Sequence, residues 1–278
     1  MCDIEKYSKV LSEPKSSIQQ RFSALFELKS IGNELAVKEI VKIFSDDSAL
    51  LKHELAYVLG QMQNQTAIPY LRKVLDDESQ PLIVRHEAAE ALAAVGDNEW
   101  YEKLVKYRDS EYRVLRETCI LASDMIEWRK NNNEQEINNK SPNPFQTVDP
   151  APPFIDNSVE CNKNILLDAS IFDRYRAMFS LRNMKTEIAT KYICEAFKCD
   201  GSLLKHEVAY VLGQLSDPIS IKPLMDVLNN EDEDEMVRHE AAEALGNMLN
   251  AEVIECLQKL TNHTNDIIRE SCILSLEM

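Results

Sequence analysis

The sequence predicts an all-α solenoid of stacked helical hairpins in two pseudo-symmetric halves. Three observations carry this: a long internal repeat, a shorter period inside it, and the absence of strand signals. Leu51-Lys52-His53-Glu54-Leu55-Ala56-Tyr57-Val58-Leu59-Gly60-Gln61-Met62 returns nearly unchanged as Leu204 to Leu215, and VRHEAAEAL, Val84 to Leu92, returns without a change as Val237 to Leu245. The register is constant, since 206 − 53 = 153 and 239 − 86 = 153. At the same offset Arg21 pairs with Arg174, and Arg116-Glu117 with Arg269-Glu270. A register without gaps means that one structural unit is built twice.

Within each half the shorter period sets the elements. Arg21, His53, His86 and Arg116 are spaced 32, 33 and 30 residues apart, and Arg174, His206, His239 and Arg269 follow in the second half. Periods of this size, rich in Ala, Leu, Val and Glu and poor in Gly, indicate helical hairpins stacked on one another, about four per half. There is no sustained period-two alternation and no Asn-Gly or Asp-Gly turn. Between the halves, Asn131 to Lys140 is polar and Asn-rich, and Ser141 to Pro153 holds five of the ten prolines. Proline removes a backbone donor and disfavours helix in the residue before it. The expected organisation is therefore a first half at 1–129, a non-helical linker at 130–163 and a second half at 164–278. Such a linker is long enough for the second half to turn and face the first.

Composition narrows the function. A net charge of −16 repels phosphate backbones, which argues against nucleic acid and favours a cationic partner or substrate. The densest acidic run, Glu231 to Glu235, reads as a solvated loop. No apolar run reaches the ~18 residues of a membrane helix, and the start, Met1-Cys2-Asp3-Ile4-Glu5-Lys6, has no signal-peptide pattern. Seven cysteines, odd in number and without CxxC spacing, fit reduced thiols in a cytoplasmic protein.

Four of the five histidines sit in His-Glu pairs: His53-Glu54, His86-Glu87, His206-Glu207 and His239-Glu240. At about 100° per residue, Leu51, Leu55, Val58, Leu59 and Met62 form one apolar stripe, and His53 lies roughly opposite it. The same arithmetic on Val84, Ala88, Ala91, Leu92 and Val95 sets His86 and Glu90 opposite their stripe, so the histidines are expected to face away from the core of their own repeat. With Arg read at the equivalent position of the outer repeats, the fold itself does not demand His there. Imidazole and carboxylate are ligands of zinc, iron, manganese and nickel, and two His with one carboxylate leave open positions on non-haem Fe(II). Two such sets imply two metals. Which glutamates ligate stays open at this level. Glu90 and Glu243, one turn beyond His86 and His239, are candidates for orienting a ligand, with an ordinary exposed glutamate as the rival reading. Tyr57 and Tyr210, one turn beyond His53 and His206, suit packing more than hydrogen bonding to the site. His263 has no counterpart in the first half, where Ser110 stands, and reads as surface.

The KHELAYVLGQ and VRHEAAEAL motifs, repeated after a Pro-rich linker containing DPAPP (Asp149 to Pro153), resemble those of the deoxyhypusine hydroxylase family over nearly the whole chain. The resemblance implies a HEAT-type solenoid and a di-iron monooxygenase. It would use O2 to hydroxylate a deoxyhypusine side chain on a eukaryotic translation initiation factor, completing hypusine. It also implies that His53, His86 and Glu87 hold one iron and His206, His239 and Glu240 the other. Glu54 and Glu207 would then meet the amine-bearing substrate, with a direct metal role also open to them. The rival readings are a HEAT-repeat protein-binding scaffold, a phycobilin-type lyase on a similar repeat, and a zinc or manganese hydrolase. A scaffold would bind without metal and tolerate loss of the histidines, and a lyase does not call for four symmetric pairs.

Overall fold

Short polar side chains mark where the helices start. Ser17, Asn33 and Ser48 accept the backbone N–H of Gln20, Ala36 and Leu51, and Ser170, Thr186, Asn250 and Asn265 do the same in the second half. Each satisfies one donor that the first turn leaves open. A computed structural model of the chain describes residues 2–133 and 142–277, and the Asn-rich stretch at 134–141, expected as loop, lies outside the described residues. Among the described residues there are sixteen α-helices and no strand.

The helices pair as hairpins. The first half holds α1 (Cys2–Ser12) with α2 (Ile18–Ile31), α3 (Glu34–Ile40) with α4 (Ala49–Gln61), α5 (Ile68–Asp76) with α6 (Leu82–Val95), and α7 (Tyr101–Tyr107) followed by α8 (Arg113–Asn131). The second repeats the plan with α9 (Val159–Asp168) and α10 (Ile171–Met184), α11 (Glu187–Glu195) and α12 (Ser202–Leu215), α13 (Ile221–Leu228) and α14 (Glu235–Gly246), and α15 (Ala251–Leu260) and α16 (Asp266–Ser275). The chain divides into two compact units, 1–126 and 127–278. The second helix of each hairpin packs on its counterpart in the next, α4 on α6 and α12 on α14. Leu50, Leu51, Leu55, Leu59, Leu92, Leu203, Leu212 and Leu245 are fully buried in this layer, and each contributes about 1.5–3 kcal/mol of burial.

One contact repeats through the stack and corrects the register expected for the arginines. The Nε–H of Arg85 donates to the Leu75 carbonyl at 2.9 Å and that of Arg238 to Leu228 at 2.9 Å, each reaching ten residues back to the end of the preceding helix. Arg21 makes the same bond to Leu11 at 2.9 Å, and Arg174 reaches Leu166 at 2.8 Å. Arg21 is therefore the counterpart of Arg85, 85 − 21 = 64, and Arg174 of Arg238, 238 − 174 = 64. Arg116 and Arg269 likewise reach back to the carbonyls of Ser110 and His263. The arginines occupy the place one residue before the histidines. The outer repeats carry Phe22, Glu117, Tyr175 and Glu270 where the inner ones carry His, so the fold still does not demand His. Arg21 also pairs with Asp46. Burial pushes the Asp46 carboxyl up, but hydrogen bonds from Arg21 and the Ser48 N–H, with the charges of Arg21 and Lys52, outweigh it and hold it below the usual carboxylate range.

The linker departs from expectation at its ends and in its packing. α8 runs to Asn131 and α9 starts at Val159, so 130–131 and 159–163 are helical, the latter because Ser158 caps the helix by accepting the Cys161 N–H. The described part, 142–158, packs within the second unit. Arg182, fully buried, donates to both oxygens of Asp149 at 2.9 and 2.5 Å and to Gln214 at 3.0 Å. Ser180 accepts the Phe154 N–H at 2.7 Å, and the Arg176 guanidinium lies 3.9 Å from the Phe154 ring. The acidic run at 231–235 is mostly exposed, yet Asp234 caps α14 and Glu233 accepts from Lys205 at 2.7 Å. His263 sits half-buried in the turn before α16, where its Nδ1 accepts the Asn265 N–H.

Candidate metal centre

The first requirement is that two inner helices approach closely, and glycine supplies it. A Cβ on Gly60 would stand 3.0 Å from the Ala91 Cα, and one on Gly213 would stand 2.9 Å from the Ala244 Cα. Only the missing side chain lets α4 meet α6, and α12 meet α14, at this separation. His53 lies two turns before Gly60, on the same face of α4, so the close contact aims its ring at α6.

The histidine rings accordingly meet in pairs. The centroids of His53 and His86 are 5.5 Å apart, and those of His206 and His239 are 5.3 Å apart. Glu87 reaches across from α6 to stand 3.4 Å from His53 Nε2, and Glu240 reaches from α14 to 3.3 Å from His206 Nε2. In the second unit His206, His239 and Glu240 each offer a ligand atom, all within 4.8 Å of one another, and in the first unit His86, Glu87 and Glu90 do the same. Glu54 and Glu207 stand in neither of these groups.

All eight paired residues are buried: His86 and His239 are at 0 %, and none of His53, Glu54, Glu87, His206, Glu207 and Glu240 exceeds 7 % exposure. The expectation that the histidines face away from the apolar stripe of their own helix is thus compatible with burial only because a neighbouring helix covers that face. A carboxylate taken out of water costs several kcal/mol unless it is matched by charge or hydrogen bonds. Buried imidazoles and carboxylates gathered on close helices fit a bound cation, and the donors are of the types that transition metals take. Glu243 Oε1 lies 3.5 Å from His239 Nδ1, one turn along α14. Tyr57 and Tyr210 are half-buried.

Two features carried no motif. One is the glycine pair, visible in sequence as the LGQ that ends each KHE helix. The other is Lys29 on α2, whose ammonium lies 5.3 Å from the Tyr57 ring and feels the charge of Glu54. Burial lowers the Lys29 pKa, and Glu54 acts against that shift. Its place at the 153 offset is taken by Arg182, a break in the repeat that could have drawn notice.

Among the described residues the cysteines stand in none of these metal groups. Six are free thiols among the described residues. Burial pushes Cys119, Cys194 and Cys272 up to about 12, which keeps them protonated and unreactive. No helix among the described residues is long and apolar enough to cross a membrane.

Fold and site together define a class, a HEAT-type helical repeat protein bearing histidine–carboxylate metal sites. The HEAT-repeat family model matches residues 37–123 and 190–277. The chain is 46 % identical to deoxyhypusine hydroxylase of Drosophila melanogaster, covering 99 % of this chain and 91 % of that one. It is 43 % identical to the Homo sapiens enzyme with the same coverage. The structure of human deoxyhypusine hydroxylase in complex with glycerol superposes with a TM-score of 0.94 at 41 % identity, covering 99 % of this chain and 95 % of that one. The chain belongs to the deoxyhypusine hydroxylase family and is an enzyme.

Proposed function

We propose that this protein hydroxylates the deoxyhypusine side chain of a eukaryotic translation initiation factor in the cytoplasm, using O2 and two irons, and so completes hypusine. The observation that carries the reading is the matched pair of His-His-Glu sets, one from each half: His53, His86 and Glu87 from 1–129, and His206, His239 and Glu240 from 164–278, with 130–163 joining them. Two His and one carboxylate suit non-haem iron and leave positions open to other ligands. Bound iron would supply the oxidising power that no side chain has for an unactivated C–H bond. Zinc fits the same donors but has no redox chemistry.

The chain's own residues do the rest. Glu243 beside His239 Nδ1, and Glu90 one turn past His86, would fix ring orientation and leave the other ring nitrogen as donor to the metal. Glu54 and Glu207, buried but outside the metal groups described above, would hold the ammonium of the substrate arm. The acidic surface would draw that cationic arm in. Tyr57 and Tyr210 would line the approach rather than ligate.

Protein purified in air should contain about two irons per chain, and a deoxyhypusine-bearing factor incubated with it should gain the mass of one oxygen atom. Full turnover by a His53→Ala, His239→Ala double variant would end the catalytic assignment.

A further inference from the structure

The Lys29 ammonium is held by two neighbouring helices. Phe26 and Lys29 are one turn apart on α2, and Glu54 and Tyr57 are one turn apart on α4. Lys29 Nζ lies 5.4 Å from the Phe26 ring centroid and 5.3 Å from the Tyr57 ring centroid. Glu54 is the carboxylate whose charge favours its protonated form. Two π-faces and a buried acid around one ammonium are the parts of an alkylammonium site. Phe26 is 41 % exposed despite its size, which leaves one wall of this box open to an incoming chain.

The second half lacks the arrangement. The 153 register puts Phe179 opposite Phe26 and Arg182 opposite Lys29, and both are fully buried. Arg182 lies over the Phe179 ring at 4.6 Å but is committed to Asp149. The ammonium box belongs to the first half.

We infer that Phe26, Tyr57 and Glu54 form an alkylammonium-binding box that Lys29 occupies in the resting enzyme and yields to the cationic arm of the substrate. This rests on the reading of Glu54 as a substrate contact and adds to it a built-in competitor that sets substrate selectivity. Lysine suits the part. Its long stem turns readily, and its ammonium regains full hydration when displaced. A box filled by Lys29 for most of the time weakens substrate binding by the fraction of time it stands open. A short or weakly cationic side chain then fails to displace the lysine.

Lys29→Met keeps the stem and removes the charge. In steady-state assays with the deoxyhypusine-bearing factor, KM should fall about three- to tenfold with kcat unchanged, and inhibition by n-butylamine should strengthen by a similar factor. Lys29→Arg keeps the charge and stacks at least as well on the two rings, so it should not lower KM, and a fall equal to that of Lys29→Met overturns the proposal. A Lys29→Met protein that melts like the parent, with KM unchanged or raised, overturns the proposal. A second measurement needs no variant: acylation of Lys29 relative to the other lysines, followed by peptide mass spectrometry, should increase when the parent protein is saturated with n-butyltrimethylammonium, a cation that the acylating reagent cannot consume, and unchanged or reduced labelling overturns the proposal equally. Glu54→Gln separates the two layers of the argument. An unchanged KM in Glu54→Gln removes the substrate role of Glu54 itself. A raised KM there, with no effect of Lys29→Met, removes only the competitor.

Discussion

His239 shows how much one residue's surroundings do. It is fully buried, 5.3 Å from the His206 ring and 3.5 Å from the Glu243 carboxylate, on a helix that also brings Glu240 to His206. Adjacent residues on a helix leave the axis about 100° apart, yet the longer Glu240 side chain brings a carboxylate oxygen within 4.8 Å of ligand atoms of both His239 and His206. Glu207, next to His206, stands outside that group. The two glutamates should therefore separate in experiment. Glu240→Gln should purify with about half the parent's iron, because one of two ligand sets is broken. Glu207→Gln should keep its iron and raise KM roughly tenfold, through loss of a charged partner for the amine. Iron content by elemental analysis and steady-state kinetics on the same preparations check both.

At the scale of elements, the site depends on how closely helices pack, and Gly213 is the test. A Cβ 2.9 Å from the Ala244 Cα has no room, and its obstacle is backbone that cannot swing aside. Gly213→Ala should cost about 1–3 kcal/mol and lower metal affinity, because pushing α12 from α14 parts His206 from His239. Gly96 is the contrast. It ends α6 at φ 86°, with nothing within 4 Å of an added Cβ. Gly96→Ala should cost about 1 kcal/mol through backbone strain alone and leave metal affinity intact. Chemical denaturation and metal titration on the two variants distinguish packing from strain. The arginine latches work at this scale too: each ties an inner helix to the end of the helix before it, which sets where the next residue, His or its replacement, begins to point.

For the whole molecule, each ligand set draws on more than one hairpin, so a bound ion ties hairpins together as well as completing a site. Ligand binding to the folded state alone stabilises it by about 2.7 kcal/mol when the ligand stands at a hundredfold its dissociation constant. Thermal unfolding under anaerobic Fe(II) should therefore come several degrees higher than in the presence of a chelator. The His53→Ala, His239→Ala double variant should lose most of that difference while keeping its helical circular dichroism, since helix formation rests on the leucine layer and the caps rather than on the ions.

Read from the chain alone, the 153-residue offset, the shorter period and the absent strand signals determined the helical hairpins and their number. The four His-Glu pairs stood out because repetition makes a functional pattern visible in one sequence. The register of the arginines was misplaced by one residue, since spacing alone cannot tell which neighbour makes a bond. Burial of the histidines, the crossing of Glu87 to His53 and of Glu240 to His206, the packing of Asp149 on Arg182 and the box around Lys29 were decided only by tertiary structure. The physical reason is the same in each case. Helical periodicity fixes the direction of a side chain about its own axis, whereas its partner belongs to another segment whose distance and rotation are set by packing, at the metal centre by a glycine seated against an alanine.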